Sequence, residues 1–296
     1  WPGWDAISNM FTFGDSLTTT RFNHHQEQPN LANPFGNPPW PGNSSSAGPG
    51  WVAFLTGWYN GTFIRTANMA RGGATTDEIL IPPFRAIGRS FTQQMFDWWW
   101  PTYATQESTM NWGSHNTLFA MWFGSNDVLT MVDGRRNTTS TLEPVVAAYA
   151  RTVDRAYSAG ARNFLFLNVA PYDRSPQSET EQDVAKFKHH AAVYNSALDR
   201  MATNLSDTYS DASTFVFDVH ALWGSILDNP CAHELTCGLR NLTAPCLAYN
   251  GPMLPSDTFL PECGVPIGQY FWKDRVHPTY TVMNATAMEI ARVLRE

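Results

Sequence analysis

Five short runs of apolar and β-branched residues, at 10–13, 62–67, 117–123, 163–169 and 214–219, alternate along the chain with longer amphipathic stretches. Alternation of this kind predicts parallel strands joined by crossover helices, because parallel neighbours cannot be linked by a tight hairpin. Helical spacing is clearest over 142–159, where Val145, Val146, Tyr149, Val153 and Ala156 share one face and Gly160 ends the run. Residues 181–205 and 281–294 also read as helices, the last with Met283, Ala287, Ile290 and Leu294 at helical spacing. Five strands with intervening helices imply an α/β protein with a doubly wound sheet. At 296 residues, one domain spanning the chain is expected. Segments 23–50 and 224–272, rich in turn-forming residues, are expected to be long loops within it.

Ligands in such sheets bind beyond the carboxyl ends of the strands, where the loops converge. Four segments with reactive or turn-forming residues fall there. Phe13-Gly14-Asp15-Ser16-Leu17 carries a serine just past the first strand. Asn68-Met69-Ala70-Arg71-Gly72-Gly73-Ala74-Thr75 follows the second, with paired glycines that let backbone N–H groups approach a ligand. Gly124-Ser125-Asn126-Asp127 follows the third, and its asparagine amide can donate to a developing oxyanion. Asp274-Arg275-Val276-His277-Pro278 enters the last helix with an acid and an imidazole three residues apart, close enough for the carboxylate to fix the tautomer. Taken singly, each has an ordinary structural role, Ser16 as a helix cap, for instance. Their order, the first three each after a different strand and the fourth near the C-terminus, points to nucleophilic chemistry.

Composition narrows the partners. A net charge of −7 with 19 Lys and Arg offers no basic stripe for phosphates, so neither nucleic acid nor an anionic membrane is an expected partner. No apolar run is long enough to span a bilayer. There is no Gly-x-Ser-x-Gly elbow, His-Glu-x-x-His or Walker-type loop, so no metal and no cofactor are expected. The doublets His24-His25 and His189-His190 lack nearby ligand partners and read as surface residues, while Asp15 and Asp127 read as turn residues that support the site. Cys231, Cys237, Cys246 and Cys263 are separated by 5, 8 and 16 residues, a poor match to zinc spacing and a better one to two disulfides, with three pairings possible. Sequons at Asn43, Asn60, Asn137, Asn204, Asn241 and Asn284, with a start at Trp1, fit a mature secreted glycoprotein, expected to be a monomer.

The four segments resemble the blocks of the GDSL, or SGNH, hydrolases, from Ser16 to His277. That resemblance implies a flavodoxin-like three-layer α/β/α sandwich with a five-stranded parallel sheet. It further implies a Ser16–His277–Asp274 triad, and an oxyanion hole from the Ser16 N–H, a block-two glycine and Asn126. Gly73 is favoured over Gly72 because it sits five residues after Asn68. Within the family the chain is most similar to the fungal acetyl esterases of carbohydrate esterase family sixteen, through its block two, its Tyr270-Phe271-Trp272-Lys273-Asp274-Arg275-Val276-His277-Pro278 ending and its tryptophans. The implied substrate is an acetylated oligosaccharide or another small ester, with Trp40, Trp98, Trp99, Trp100 and Trp272 as candidate platforms for sugar rings. The alternatives are a lipase or phospholipase, and a sugar-binding module that has lost its chemistry.

Overall fold

The computed structural model describes residues 1–84, 88–104, 110–134, 138–250, 255 and 258–296. Five parallel strands, β1 (Asn9–Gly14), β2 (Arg65–Asn68), β3 (Thr117–Trp122), β4 (Asn163–Leu167) and β5 (Ser213–Phe217), form one sheet in the order β2-β1-β3-β4-β5. The chain leaves β1 for one edge and returns to the other side of β1 for β3. That reversal opens a crevice at the carboxyl end of β1.

Side chains of a strand point alternately to the two faces, and the core divides accordingly. Met10, Leu118, Ala120, Trp122, Leu165 and Leu167 join one cluster with α1 (Trp51–Gly57), α7 (Val219–Asp228) and α8 (Tyr280–Arg295). Phe11, Phe13, Phe119, Met121, Phe164 and Phe166 join a second. That second cluster includes Phe91 of α2 (Phe91–Gln93), which runs on through a π-helical stretch, Gln94–Trp99, into α3 (Trp100–Tyr103). Residues of α5 (Thr138–Ser158) and α6 (Glu181–Thr208) complete it. With helices over both faces, every strand residue of β1 and β3 is buried, which is why these runs read as continuous apolar segments.

The helix α4 (Ser125–Val132) starts directly after β3, and Gly124 makes that start possible with a φ of 108°. A Cβ there would also lie 2.5 Å from the Tyr194 ring. The expected fifth strand overshoots, because the Asp218 side chain accepts the Ala221 N–H and turns Val219 into the first residue of α7. The expected 224–272 loop therefore begins inside a helix; beyond it the described chain holds short 3-10 turns. Two disulfides, Cys231–Cys237 and Cys246–Cys263, resolve the pairing.

The 23–50 segment has no regular secondary structure but is anchored. The Tyr280 N–H donates to Ser46 O, and a Cβ on Gly48 would overlap the Tyr280 ring. This loop therefore braces the start of α8.

Candidate active site

The site is built outward from β1. Past Gly14, the Asp15 carbonyl accepts the Thr18 and Thr19 N–H groups, and Asp15 Oδ1 accepts the Leu17 N–H at 2.9 Å. This turn leaves Ser16 between two fixed residues. Gln94 clamps the strand end from the other face: its Nε2 donates to Gly14 O at 2.8 Å and its Oε1 accepts the Gly14 N–H at 3.0 Å. Nothing in the sequence around Gln94 marked it, since its partner is 80 positions away.

The second segment is tied to the first by crossing hydrogen bonds. Asn68 Nδ2 donates to Thr18 O at 2.7 Å, the Thr19 hydroxyl to Ala70 O at 2.9 Å, and the Arg71 N–H to Gly14 O at 3.0 Å. The Arg71 guanidinium donates to Ala70 O and Phe22 O and lies over the Trp98 ring. The Ala74 N–H closes a turn onto Arg71 O, with Gly73 at its third position and a φ of 80°, a conformation that favours glycine there. Gly72 needs no such freedom. A Cβ on it would meet only Ser16 Cβ, at 3.8 Å.

The third segment docks through Asp127, whose carboxylate accepts both the N–H and the hydroxyl of Thr76. Burial pushes this carboxyl up to about 6 against the lowering effect of those Thr76 donors. Asn126 Nδ2 donates to Ala74 O at 2.9 Å and to Asp15 Oδ2 at 3.1 Å. Asp15 is pushed up to about 7 by burial, against the Leu17 N–H and the nearby His277, with Asp127 adding to the rise. Both acids are thus buried scaffolding, as the sequence suggested.

His277 arrives from the far end of the chain on a segment held by the Lys273 N–H to His277 O and the Thr279 N–H to Phe271 O. Its Nε2 lies 2.7 Å from Ser16 Oγ, and its Nδ1 lies 2.9 and 2.8 Å from the two Asp274 oxygens. A carboxylate only accepts, so Nδ1 carries the proton and Nε2 is free to accept the serine hydroxyl. Burial works to raise the Asp274 carboxyl. The His277 hydrogen bond and charge, with the Val276 and His277 N–H groups, outweigh it and hold the carboxyl well below the usual range.

These residues open onto a cavity of about 660 Å³ lined by Ser16, Gly72, Gly73, Asn126 and His277, with Phe84, Leu129, Tyr172 and Val276 as apolar wall. Among the described residues, the N–H groups of Ser16, Gly72 and Gly73 have no protein acceptor. Three backbone donors and an amide therefore surround a serine whose hydroxyl already has a base. A larger groove of about 880 Å³ lies between α5 and α6. It has none of this chemistry, though Asn204 is on its wall.

Some expectations fail. Trp99 and Trp272 are fully buried, Trp40 packs on Trp58, Trp98 lies beneath Arg71 and His24, and Trp100 packs on Trp99, so none of the five lines the cavity. Their flat faces serve the core. Two other aromatics do reach the cavity, Tyr172 and the 64% exposed Phe84, and neither was foreseen. His24 is not a plain surface residue: it is half-buried on Trp98, and burial, with His25 and Arg71 nearby, pushes it down to about 4. His25 and His189 are exposed, and His190 is half-buried. Of the sequon asparagines, Asn204 is exposed, Asn43, Asn60, Asn241 and Asn284 are half-buried, and Asn137 lies outside the described residues. Asn284 Oδ1 accepts the Tyr59 hydroxyl at 2.7 Å. No metal-binding group of His, Cys, Asp and Glu occurs among the described residues, and no helix there is long and apolar enough to cross a membrane.

A serine, an imidazole and a carboxylate in series, at the carboxyl edge of a parallel sheet, define the class: an α/β carboxylic ester hydrolase. The comparisons with known proteins agree. Residues 10–290 match the model of the GDSL-like lipase/acylhydrolase family, and the chain belongs to that family. It is 32% identical to an acetylesterase of Thermothelomyces thermophilus over 234 residues, 77% of each chain. It is 26% identical to a thermolabile hemolysin of Vibrio parahaemolyticus, over 93% of this chain and 61% of that one. In structure it resembles an acetylxylan esterase of Geobacillus stearothermophilus, with a TM-score of 0.53 and 14% identity over 97% of this chain and 94% of that one. That last likeness concerns the fold.

Proposed function

We propose that the protein removes acetyl groups from acetylated oligosaccharides or similar small esters through an acyl-enzyme on Ser16. The observation that carries the reading is the 2.7 Å approach of Ser16 Oγ to His277 Nε2, with Asp274 behind the imidazole. His277 takes the Ser16 proton as Oγ attacks the ester carbonyl. The negative charge that develops on the carbonyl oxygen is met by the N–H groups of Ser16 and Gly73 and by the Asn126 amide. His277 then gives its proton to the departing alcohol, and water, deprotonated by the same imidazole, releases the acid. The name of the 32% identical relative supports acetyl as the acyl group. Polar residues on the cavity wall, Asn23, Ser45 and Gln177, support a hydroxyl-rich alcohol. The two disulfides support life in an oxidising, extracellular compartment.

Hydrolysis of 4-nitrophenyl acetate and 4-nitrophenyl palmitate tests the acyl preference. The acetate is expected to be the better substrate, and preference for palmitate would overturn the acetyl reading in favour of a lipase. Release of acetate from acetylated xylo-oligosaccharides tests the alcohol half. Loss of both activities in Ser16→Ala is expected, and an active Ser16→Ala would remove the serine from the mechanism.

A further inference from the structure

Arg21 stands on the wall of the same cavity as Ser16, with a backbone φ of 62°. A left-handed conformation is uncommon for a side chain with a Cβ and is strained, a strain that Gly or Asn would lessen. The neighbours explain how the strain is held. Thr20 and Phe22 on either side are both 2% exposed, Thr20 O accepts the Asn43 N–H, and Phe22 O accepts the Arg71 guanidinium. The Arg21 N–H donates to the Thr19 hydroxyl at 3.1 Å. Between two buried, tethered residues, the turned backbone puts Arg21 out at the cavity mouth, where it is exposed.

Its charge has no answer among the described residues. In a chain of net charge −7, Arg21 makes no ion pair among the described residues. The second arginine on the cavity wall, Arg71, bonds carbonyl oxygens and an indole ring, so its charge is not cancelled either. The acids on the same wall are otherwise engaged. Asp15 is buried against Leu17 and Asn126, and Asp133 has a partner of its own. A cavity walled by two uncancelled guanidinium groups favours an anion, and Arg presents planar donors suited to a carboxylate.

We infer that Arg21 is a specificity-determining residue that receives a carboxylate carried by the alcohol half of the ester, such as that of a uronic acid next to the acetylated sugar. The inference rests on the acetyl-esterase reading: an acetyl group has no place for a second charge, so the anion belongs to the alcohol.

The test compares 4-acetoxybenzoate with 4-acetoxybenzamide, which differ by one charge on the leaving phenol. The readout is the ratio of kcat/KM for acid over amide. In Arg21→Gln this ratio falls about three- to tenfold relative to the wild type, chiefly through KM for the acid, and the wild-type ratio itself shrinks at about 1 M salt. Arg21→Gly, which relieves the backbone, gives the same fall, whereas Arg21→Lys keeps most of the preference. An unchanged ratio in both the Gln and Gly variants overturns the inference while leaving the esterase reading intact. Wild-type protein that hydrolyses neither ester, or a Ser16→Ala variant that hydrolyses both, overturns the esterase reading and the inference with it.

Discussion

The Asn126 amide nitrogen lies 3.1 Å from Asp15 Oδ2 and 2.9 Å from Ala74 O, so both of its hydrogens have acceptors within the protein. To meet an oxyanion, the amide must share the hydrogen it now gives to Asp15 or to Ala74. Removing the amide by Asn126→Ala is expected to lower kcat roughly 100-fold, the loss of about 3 kcal/mol typical of one oxyanion donor. Steady-state kinetics on 4-nitrophenyl acetate checks this. A rate within a few-fold of wild type would leave Asn126 a structural residue only.

Asp15 carries a stability signature of its own. Its carboxyl is pushed up to about 7 by burial, chiefly, so between the unfolded value near 4 and about 7 the folded chain binds the proton more tightly than the unfolded chain. The contribution of Asp15 is therefore most favourable below about pH 4 and is lost as pH rises to 7, by an amount on the order of 4 kcal/mol. Asp15→Asn removes this titration. The stability of wild type minus that of Asp15→Asn should fall between about pH 4 and 7.5, measured by denaturant unfolding at several pH values. Asp127, raised to about 6 by burial, is present in both proteins and largely cancels in the difference.

Asp274 has the opposite sign. Because the fold holds it below the usual range, its contribution is present above about pH 4 and is lost as the pH falls toward the folded value. Asp274→Asn should cost roughly 10⁴-fold in kcat near neutral pH, because an amide can hold the wrong imidazole tautomer. Its stability deficit should be steady from about pH 5 to 8 and shrink in acid. A deficit that grows in acid would contradict the pairing.

Gln94→Leu leaves the buried Gly14 N–H without its acceptor and takes a donor from Arg89 O and from Gly14 O, which keeps the Arg71 N–H. Each such loss costs about 1–3 kcal/mol, and a chain of this size loses roughly 2–4 °C of Tm per kcal/mol. A drop of several degrees in calorimetry is expected. It should come with slower turnover, since Gly14 sets the position of Ser16.

The central strands β1, β3 and β4 were readable because both faces of the sheet are covered there, which makes each run largely apolar. Their order was not, because hydrogen-bond neighbours leave no mark on local periodicity. Local signals also lost to capping, as at Asp218, which ended β5 early. The candidate site residues were readable because three of the segments follow different strands and the fourth enters the last helix, each with reactive or turn-forming residues. Gln94 and Phe84 were not: the first acts through a contact 80 residues away, and the second is one more aromatic in an aromatic-rich chain. The tryptophans misled because an indole ring suits a sugar face and a core equally well.

The hydrogen bond between Ser16 and His277 joins positions 261 residues apart. During synthesis the serine leaves the ribosome long before the imidazole, which follows only as α8 approaches. Until α8 docks against α1 and the 23–50 loop, the hydroxyl has no proton acceptor and the chain is chemically silent. On the proposed mechanism, reactivity toward a serine-directed probe is a clock for completed folding: a chain shortened before Asp274 would carry Ser16 and yet never ignite it.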